Sequence, residues 1–239
     1  MTRTYVLCHA HPDDETLATG ALALGLRDRG DAVVVLTATR GEQGEVRPGP
    51  YAALEGTPEL AAIREQELTN ALAALKVAGH AYLGTPPARA AGLPPRRYTD
   101  SGMRWVTPTL AGPGDDAGPD SLTAAGEDEV AADIAALARA VTATDLVSYD
   151  DDGGYGHPDH IRMHRATRAA AETLGLPFHV IVTDATVPHD EWLDATSESA
   201  TLERAYDAYD TQFSRTGDDI THVGGQSDRV LRGAGLRRA

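Results

Sequence analysis

The chain has 239 residues, 41% hydrophobic and 24% charged, the balance of a globular protein and not of a disordered one. With 21 Lys and Arg against 36 Asp and Glu the formal net charge is −15, so the field of the molecule repels nucleic acid and no basic stripe corrects it. Cys8 is the single cysteine, which excludes a disulfide framework within the chain, and no apolar run approaches the length of a membrane span.

Residues 1–4 run directly into an apolar segment without the apolar region and small-residue cleavage site of a secretory leader, so a cytoplasmic location is expected. Residues 5–8 read as a first strand, with Cys8 packed in it, ending in the polar turn His9-Ala10-His11-Pro12-Asp13-Asp14-Glu15. Leu17, Ala21, Leu24 and Gly25 then recur at helical spacing up to Arg29-Gly30, and residues 31–36 form a buried strand. A helix follows over 58–77, begun by Pro58 where its missing N–H costs nothing, then a strand at 81–83. A helix over 126–142, a strand at 146–149, a helix over 158–174, a strand at 178–182 and a helix over 198–211 complete the series.

Alternating strands and helices, with no internal repeat, predict an α/β fold. It is a Rossmann-like three-layer sandwich with a mostly parallel central sheet and its site at the carboxyl ends of the strands. Residues 84–121 break the alternation: rich in Pro and Gly, they read as a loop-rich insertion or lid in a single domain over 1–212. Residues 213–239 read as an irregular tail, frayed and locally basic through Arg229, Arg232, Arg237 and Arg238.

Two motifs carry chemistry. His11-Pro12-Asp13-Asp14-Glu15 lies where the first strand gives way to a helix, so His11 and Asp14, three residues apart, can turn to one point. His and Asp suit zinc or ferrous iron, and Asp13 between them can approach a metal-bound water without being a ligand. Tyr155-Gly156-His157-Pro158-Asp159-His160 follows the fourth strand at an equivalent junction and sets His157 and His160 three apart. Either His-Pro-Asp turn alone reads equally as a helix cap. Caps do not require three histidines on one sheet edge, and the pair together reads as a metal site. No Gly-x-Gly-x-x-Gly follows the first strand, which argues against a dinucleotide site.

The paired motifs resemble the PIG-L/LmbE-like family of metal-dependent N-deacetylases over roughly residues 4–212. The nearest subgroup is that of the mycothiol-pathway deacetylase and the mycothiol S-conjugate amidase. Supporting stretches are Gly41-Glu42-Gln43-Gly44-Glu45-Val46, Arg64 with Glu67-Leu68, Tyr82-Leu83-Gly84, Asp100-Ser101-Gly102-Met103 and Gly153-Gly154-Tyr155-Gly156.

The resemblance implies that His11, Asp14 and His160 bind one divalent metal ion, Zn2+ or else Fe2+. It implies Asp13 as general base toward the attacking metal-bound water, His157 as electrophile or general acid, and Tyr155 at the oxyanion. Asp159 is expected to orient His157 or to cap its helix. Arg64 and Asp100 contact the substrate by the same resemblance, although the charge pattern alone makes Arg64 an exposed helix ion pair and Glu42 and Glu45 solvated. The implied reaction removes an N-acetyl group from an N-acetylglucosamine-type sugar or glycoconjugate. The implied partner is that small molecule, with no nucleic acid and no membrane insertion, and the protein can be a homo-oligomer. The alternatives are an amidase for a larger acyl group, such as a thiol conjugate, and a metal-containing carbohydrate-binding protein without catalysis. The chain departs from the subgroup in a longer segment between Arg64 and Asp100, and in Tyr209, where the family usually has histidine.

Overall fold

β1 (Thr4–His9) and β2 (Ala32–Thr37) pair in parallel from Thr4 against Ala32 to His9 against Thr37. Both strands are continuous apolar runs because both faces of this sheet are covered by helices. In this computed structural model, which describes residues 2–107, 110–115 and 117–239, the connection between them is two helices. They are the single turn α1 (Asp14–Leu17) and α2 (Gly20–Asp28). The one helix expected here is interrupted at Thr19, whose hydroxyl donates to the Glu15 carbonyl at 2.9 Å and meets His9 Nε2 at 2.9 Å.

The chain continues through α3 (Pro58–Leu75), β3 (Gly79–Tyr82), a hairpin of β4 (Met103–Thr107) and β5 (Leu110–Pro113), α4 (Glu127–Ala140) and β6 (Asp145–Ser148). A glycine turn, α5 (Gly153–Gly156), leads into α6 (Pro158–Leu174) and β7 (Phe178–Val182). β8 (Glu191–Asp194), α7 (Ser199–Tyr206), β9 (Phe213–Thr216), β10 (Asp219–His222), β11 (Ser227–Arg229) and β12 (Gly233–Arg238) complete it.

The main sheet has the order β3-β2-β1-β6-β7-β12-β8. All adjacent pairs from β3 to β7 are parallel, and β12 runs antiparallel to both neighbours. Alternation along β1 divides the core: Val6 and Cys8 face a layer with Ile134 and Leu137 of α4 and Met163 and Ala166 of α6. Tyr5 and Leu7 face Leu22 and Leu26 of α2, and Val35 of β2 meets Leu68 and Leu72 of α3. The architecture is thus the expected α/β sandwich.

From β1 the chain winds outward to β2 and β3, then returns to the other side of β1 as β6. The order therefore reverses beside β1, and the crevice at the carboxyl ends of β1 and β6 is where an open α/β sheet binds ligands. Both His-Pro-Asp turns emerge there.

The expectation of an irregular tail at 213–239 is corrected. β9, β10 and β11 form an antiparallel meander, and β12 is inserted into the main sheet between β7 and β8. Its glycines, which read as tail, are what the site of insertion requires. A Cβ on Gly233 would come within 2.6 Å of the Trp192 ring nitrogen, and one on Gly235 within 2.9 Å of the Glu191 carbonyl oxygen. Arg237 is not frayed either, since its guanidinium pairs with Asp150. Within 84–121, Tyr98 is fully buried and its hydroxyl donates to Asp133 at 2.8 Å, so part of that segment belongs to the core.

Candidate active site

His11, Asp13 and Asp14 sit on the turn between β1 and α1; Tyr155, His157, Asp159 and His160 come from α5 and the start of α6. Gly153 has φ +65°, and a Cβ there would stand 3.0 Å from the Cβ of His160, so glycine lets this turn close over the histidine. The His157 and His160 rings stack with centroids 4.8 Å apart, and His11 lies 4.6 and 5.3 Å from them. The two motifs, nearly 150 residues apart in sequence, are thereby brought into one cluster.

The hydrogen bonds settle which ring nitrogens remain available. His160 Nδ1 meets the Gly153 carbonyl oxygen at 3.1 Å, an acceptor, so Nδ1 carries the hydrogen and Nε2 a lone pair. That Nε2 is buried without a hydrogen-bond partner among the described residues and faces Asp14 Oδ1 at 3.3 Å. His11 Nε2 meets the Asp159 carboxylate at 3.2 Å, which leaves Nδ1 facing Asp14 Oδ2 at 3.4 Å. A carboxylate or carbonyl behind each imidazole is the arrangement that orients metal-bound histidines. His157 differs: its Nδ1 accepts the amide hydrogen of Asp159 at 3.2 Å, so its Nε2 is the protonated nitrogen and a donor.

Among the described residues, two triplets of donors lie with their ligand atoms within 4.8 Å of one another: His11, His157 and His160, and His11, Asp100 and Asp159. The charges around them fit a cation. Burial disfavours protonation of His11, yet Asp100, Asp14 and Asp159 together hold its pKa well above the ordinary value. Burial would raise the carboxyl of Asp14, but His160 and His11 keep it well below the ordinary range. A cluster that draws positive charge to itself and leaves a buried nitrogen unpaired is suited to a divalent ion.

Asp13 has φ 110°, a backbone strain that only glycine adopts freely. Desolvation, with Asp14 and Glu15 alongside, pushes its carboxyl well above the ordinary value. His157 is pushed down to about 2 by burial and by His11 and His160, so it stands neutral. The Tyr155 ring lies 5.4 Å from His160 and 5.9 Å from His157 and is 40% exposed.

Asp159 is placed otherwise than expected. Its carboxylate contacts His11 and accepts from the Ser101 amide at 2.9 Å, and only its backbone touches His157. Arg64 is not on an exposed face: it is 3% exposed and donates to the carbonyls of Gly41 and, at 2.8 Å, Glu45. Its Nε is buried without a partner among the described residues. Gly41 and Gly44 make room for the guanidinium, since a Cβ on Gly44 would fall 2.1 Å from it. Asp100 lies 3.6 Å from His11, whose charge holds its carboxyl down against burial.

Four further residues hold the site; sequence reasoning gave Tyr149, Glu15 and Gln212 no role in it and read Glu42 as solvated. Tyr149 stacks on His160 at 4.0 Å and donates to Asp14 Oδ2 at 2.6 Å. Glu42 accepts the amide hydrogen of Asp100 at 3.1 Å, Glu15 that of Asp13 at 3.1 Å, and Gln212 donates to the Pro12 carbonyl at 2.9 Å. Only their places at strand ends signalled Tyr149 and Glu42; nothing local signalled Gln212.

A family model described as "PIG-L: GlcNAc-PI de-N-acetylase" matches residues 6–171. The chain belongs to the PIG-L family. It is 47% identical over 165 residues to a 1D-myo-inositol 2-acetamido-2-deoxy-alpha-D-glucopyranoside deacetylase of Kineococcus radiotolerans, covering 69% of this chain and 44% of that one. This chain spans about half the length of the curated relatives it matches. Among solved structures, a deacetylase–teicoplanin complex from teicoplanin biosynthesis superposes with a TM-score of 0.61 at 18% identity, covering 99% of this chain and 98% of that one. The N,N'-diacetylchitobiose deacetylase of Pyrococcus horikoshii superposes with a TM-score of 0.60 at 17% identity, over 99% and 84%. These two likenesses show that the chain shares the fold of those proteins. Among the described residues no helix is long and apolar enough to cross a membrane.

Proposed function

We propose that the protein hydrolyses the N-acetyl group of an N-acetylglucosamine-type glycoside, using one divalent metal held by His11, Asp14 and His160. The observation that carries this reading is that His11 Nδ1 and His160 Nε2 both face the Asp14 carboxylate, at 3.4 and 3.3 Å. His157, committed as a donor, is left to the substrate rather than to the ion. The names of the relatives support the substrate class, and the paired motifs support the deacetylase reading.

An amide resists hydrolysis because its carbonyl is a weak electrophile and its nitrogen a poor leaving group. Zn2+ or Fe2+ in a site of this ligand set supplies Lewis acidity, lowering the pKa of a water and polarising the acetyl carbonyl. Asp13, between the two ligands of the first motif, takes the proton of the attacking water. The same carboxyl then returns a proton to the departing amine. His157 donates Nε2–H to the developing oxyanion as a neutral imidazole, and the Tyr155 hydroxyl approaches from the open side. Asp159 holds His11 in register. Arg64 and Asp100 are assigned to the sugar hydroxyls.

The test is release of primary amine by Zn2+- and Fe2+-loaded protein from N-acetylglucosamine, its cyclitol and nucleotide conjugates, and bulky acyl amides. Release from acetylated sugars, lost in Asp13→Ala, is expected. Release from bulky amides alone would establish the amidase instead, and tight sugar binding with no amine from any compound would establish a binding protein.

A further inference from the structure

The turn that leads to His157 and His160 is built of glycines and has few side chains to hold it. Gly153, Gly154 and Gly156 all have positive φ, at +65°, +79° and +84°, and glycine loses the most conformational freedom when a turn is fixed. His160 depends on this turn directly, because the Gly153 carbonyl oxygen takes the Nδ1 hydrogen at 3.1 Å and so leaves Nε2 as the free nitrogen. Three adjacent acids, Asp150, Asp151 and Asp152, precede the turn. Asp150 closes it: its carbonyl oxygen accepts from Gly153 N–H at 3.0 Å, and its Oδ1 accepts from the Asp151 amide at 2.8 Å. The other carboxylate oxygen, Oδ2, pairs with the guanidinium of Arg237, the penultimate residue of β12.

We propose that Arg237 is a positioning residue for the metal site: through Asp150 it fixes the glycine turn, and through the Gly153 carbonyl the turn fixes His160. The inference rests on the reading of His160 as a metal ligand and adds the distant strand that orients it. β12 lies outside residues 6–171, so none of the family motifs carries this contact.

Three observations support it. The first is register. Arg237 stands opposite Val180 of β7, and Val180 opposite Ser148 of β6, so the side chain reaches across two strand spacings, about 10 Å, to the carboxyl end of β6. Its Nε is buried on the way, without a partner among the described residues. The second is charge. In a chain of net charge −15, Arg237 is the one cation among the described residues that forms an ion pair with the three acids before the turn. The third is exposure. Both side chains are 40% exposed, and such pairs add little to global stability. What the pair does instead is select one placement of a turn that its own glycines leave free.

The experiment measures Zn2+ affinity of the metal-free protein by competition with a chromogenic chelator, beside the urea midpoint and the kcat and KM of amine release. The proteins are wild type, Arg237→Gln, Arg237→Lys, Asp150→Asn and the double variant Arg237→Gln/Asp150→Asn. Arg237→Gln should bind Zn2+ about tenfold more weakly, the lower end of what losing support behind a metal ligand costs. Asp150→Asn, which keeps an acceptor, should lose less, and Arg237→Lys should recover part of the affinity. The double variant should lose no more than Arg237→Gln alone, because the two residues act as one pair. The kcat of Arg237→Gln should fall with KM unchanged, while the urea midpoints of the metal-free proteins stay close to that of wild type. Unchanged Zn2+ affinity in Arg237→Gln, or additive losses in the double variant, overturns the proposal. A loss that tracks a falling urea midpoint and is not recovered by Arg237→Lys overturns it as well, since the pair would then serve stability alone. If wild type binds Zn2+, His160→Ala does not, and no acetylated sugar yields amine, the deacetylase reading fails while the Zn2+ affinities still decide the role of Arg237.

Discussion

Tyr209 donates its hydroxyl hydrogen to Oε1 of Glu15 at 2.5 Å, and the other oxygen of Glu15 accepts the amide hydrogen of Asp13 at 3.1 Å. The segment after α7 thus reaches the backbone of the proposed general base through one buried carboxylate. Burial pushes that carboxyl up to about 7. Tyr209→Phe removes one of the two hydroxyl donors to Oε1, Thr16 being the other, and a loss of about 0.5–1.5 kcal/mol in urea unfolding is expected. A fall in kcat larger than any change in KM is expected with it. Tyr209→His, which restores a donor, should recover part of both. A variant as stable and as active as wild type would show that the contact holds nothing in place.

Asp13 combines a φ of 110° with a carboxylate pressed against two other acids. Asp13→Gly relieves the backbone strain, so the metal-free variant should be more stable than wild type by about 1 kcal/mol. Its amine release should fall by about 10²–10⁴-fold, the range of a lost general base. Thermal unfolding and kinetics on the same preparation check the pair of effects, and a destabilised Gly variant would refute the strain argument.

His9 is fully buried, and its Nε2 contacts the Thr19 hydroxyl at 2.9 Å while Nδ1 has no partner among the described residues. Burial lowers its pKa from 6.5 to about 4. The folded value is below the unfolded one, so the contribution is complete above pH 6.5 and is lost as pH falls through about 4. Its full size is about 3 kcal/mol. The urea midpoint of wild type should therefore decline across this window, and that of His9→Gln, which keeps a donor for Thr19, should decline less. Parallel declines would count against His9 as the origin.

Removal of the metal gives a fourth check. An ion that binds only the folded state stabilises it by mass action, so chelation should lower the thermal midpoint and abolish amine release, with Zn2+ or Fe2+ restoring both. His160→Ala and His11→Ala should reduce the metal retained after gel filtration to a small fraction of one equivalent. His157→Ala should retain it and lose activity. Loss of metal from His157→Ala equal to that from His160→Ala would move His157 into the ligand set.

The βαβ opening, the helices over α3, α4 and α6 and the two His-Pro-Asp turns were legible in the sequence because their signals are local. Apolar runs, helical spacing and a helix-starting proline act between residues a few positions apart. Local signals also sufficed to mark His11, Asp13, Asp14, His157 and His160 as site candidates. They could not show β12, whose Gly233 and Gly235 read as tail until Trp192 and Glu191 are placed against them. Nor could they tell that Arg64 turns inward, because its charged helix face is covered by the loop from Gly41 to Glu45. Which nitrogen of each histidine is free, that Asp159 serves His11, and that Tyr209 serves Asp13 depend on partners up to about 200 residues away, and only the closing of the sheet brings them together.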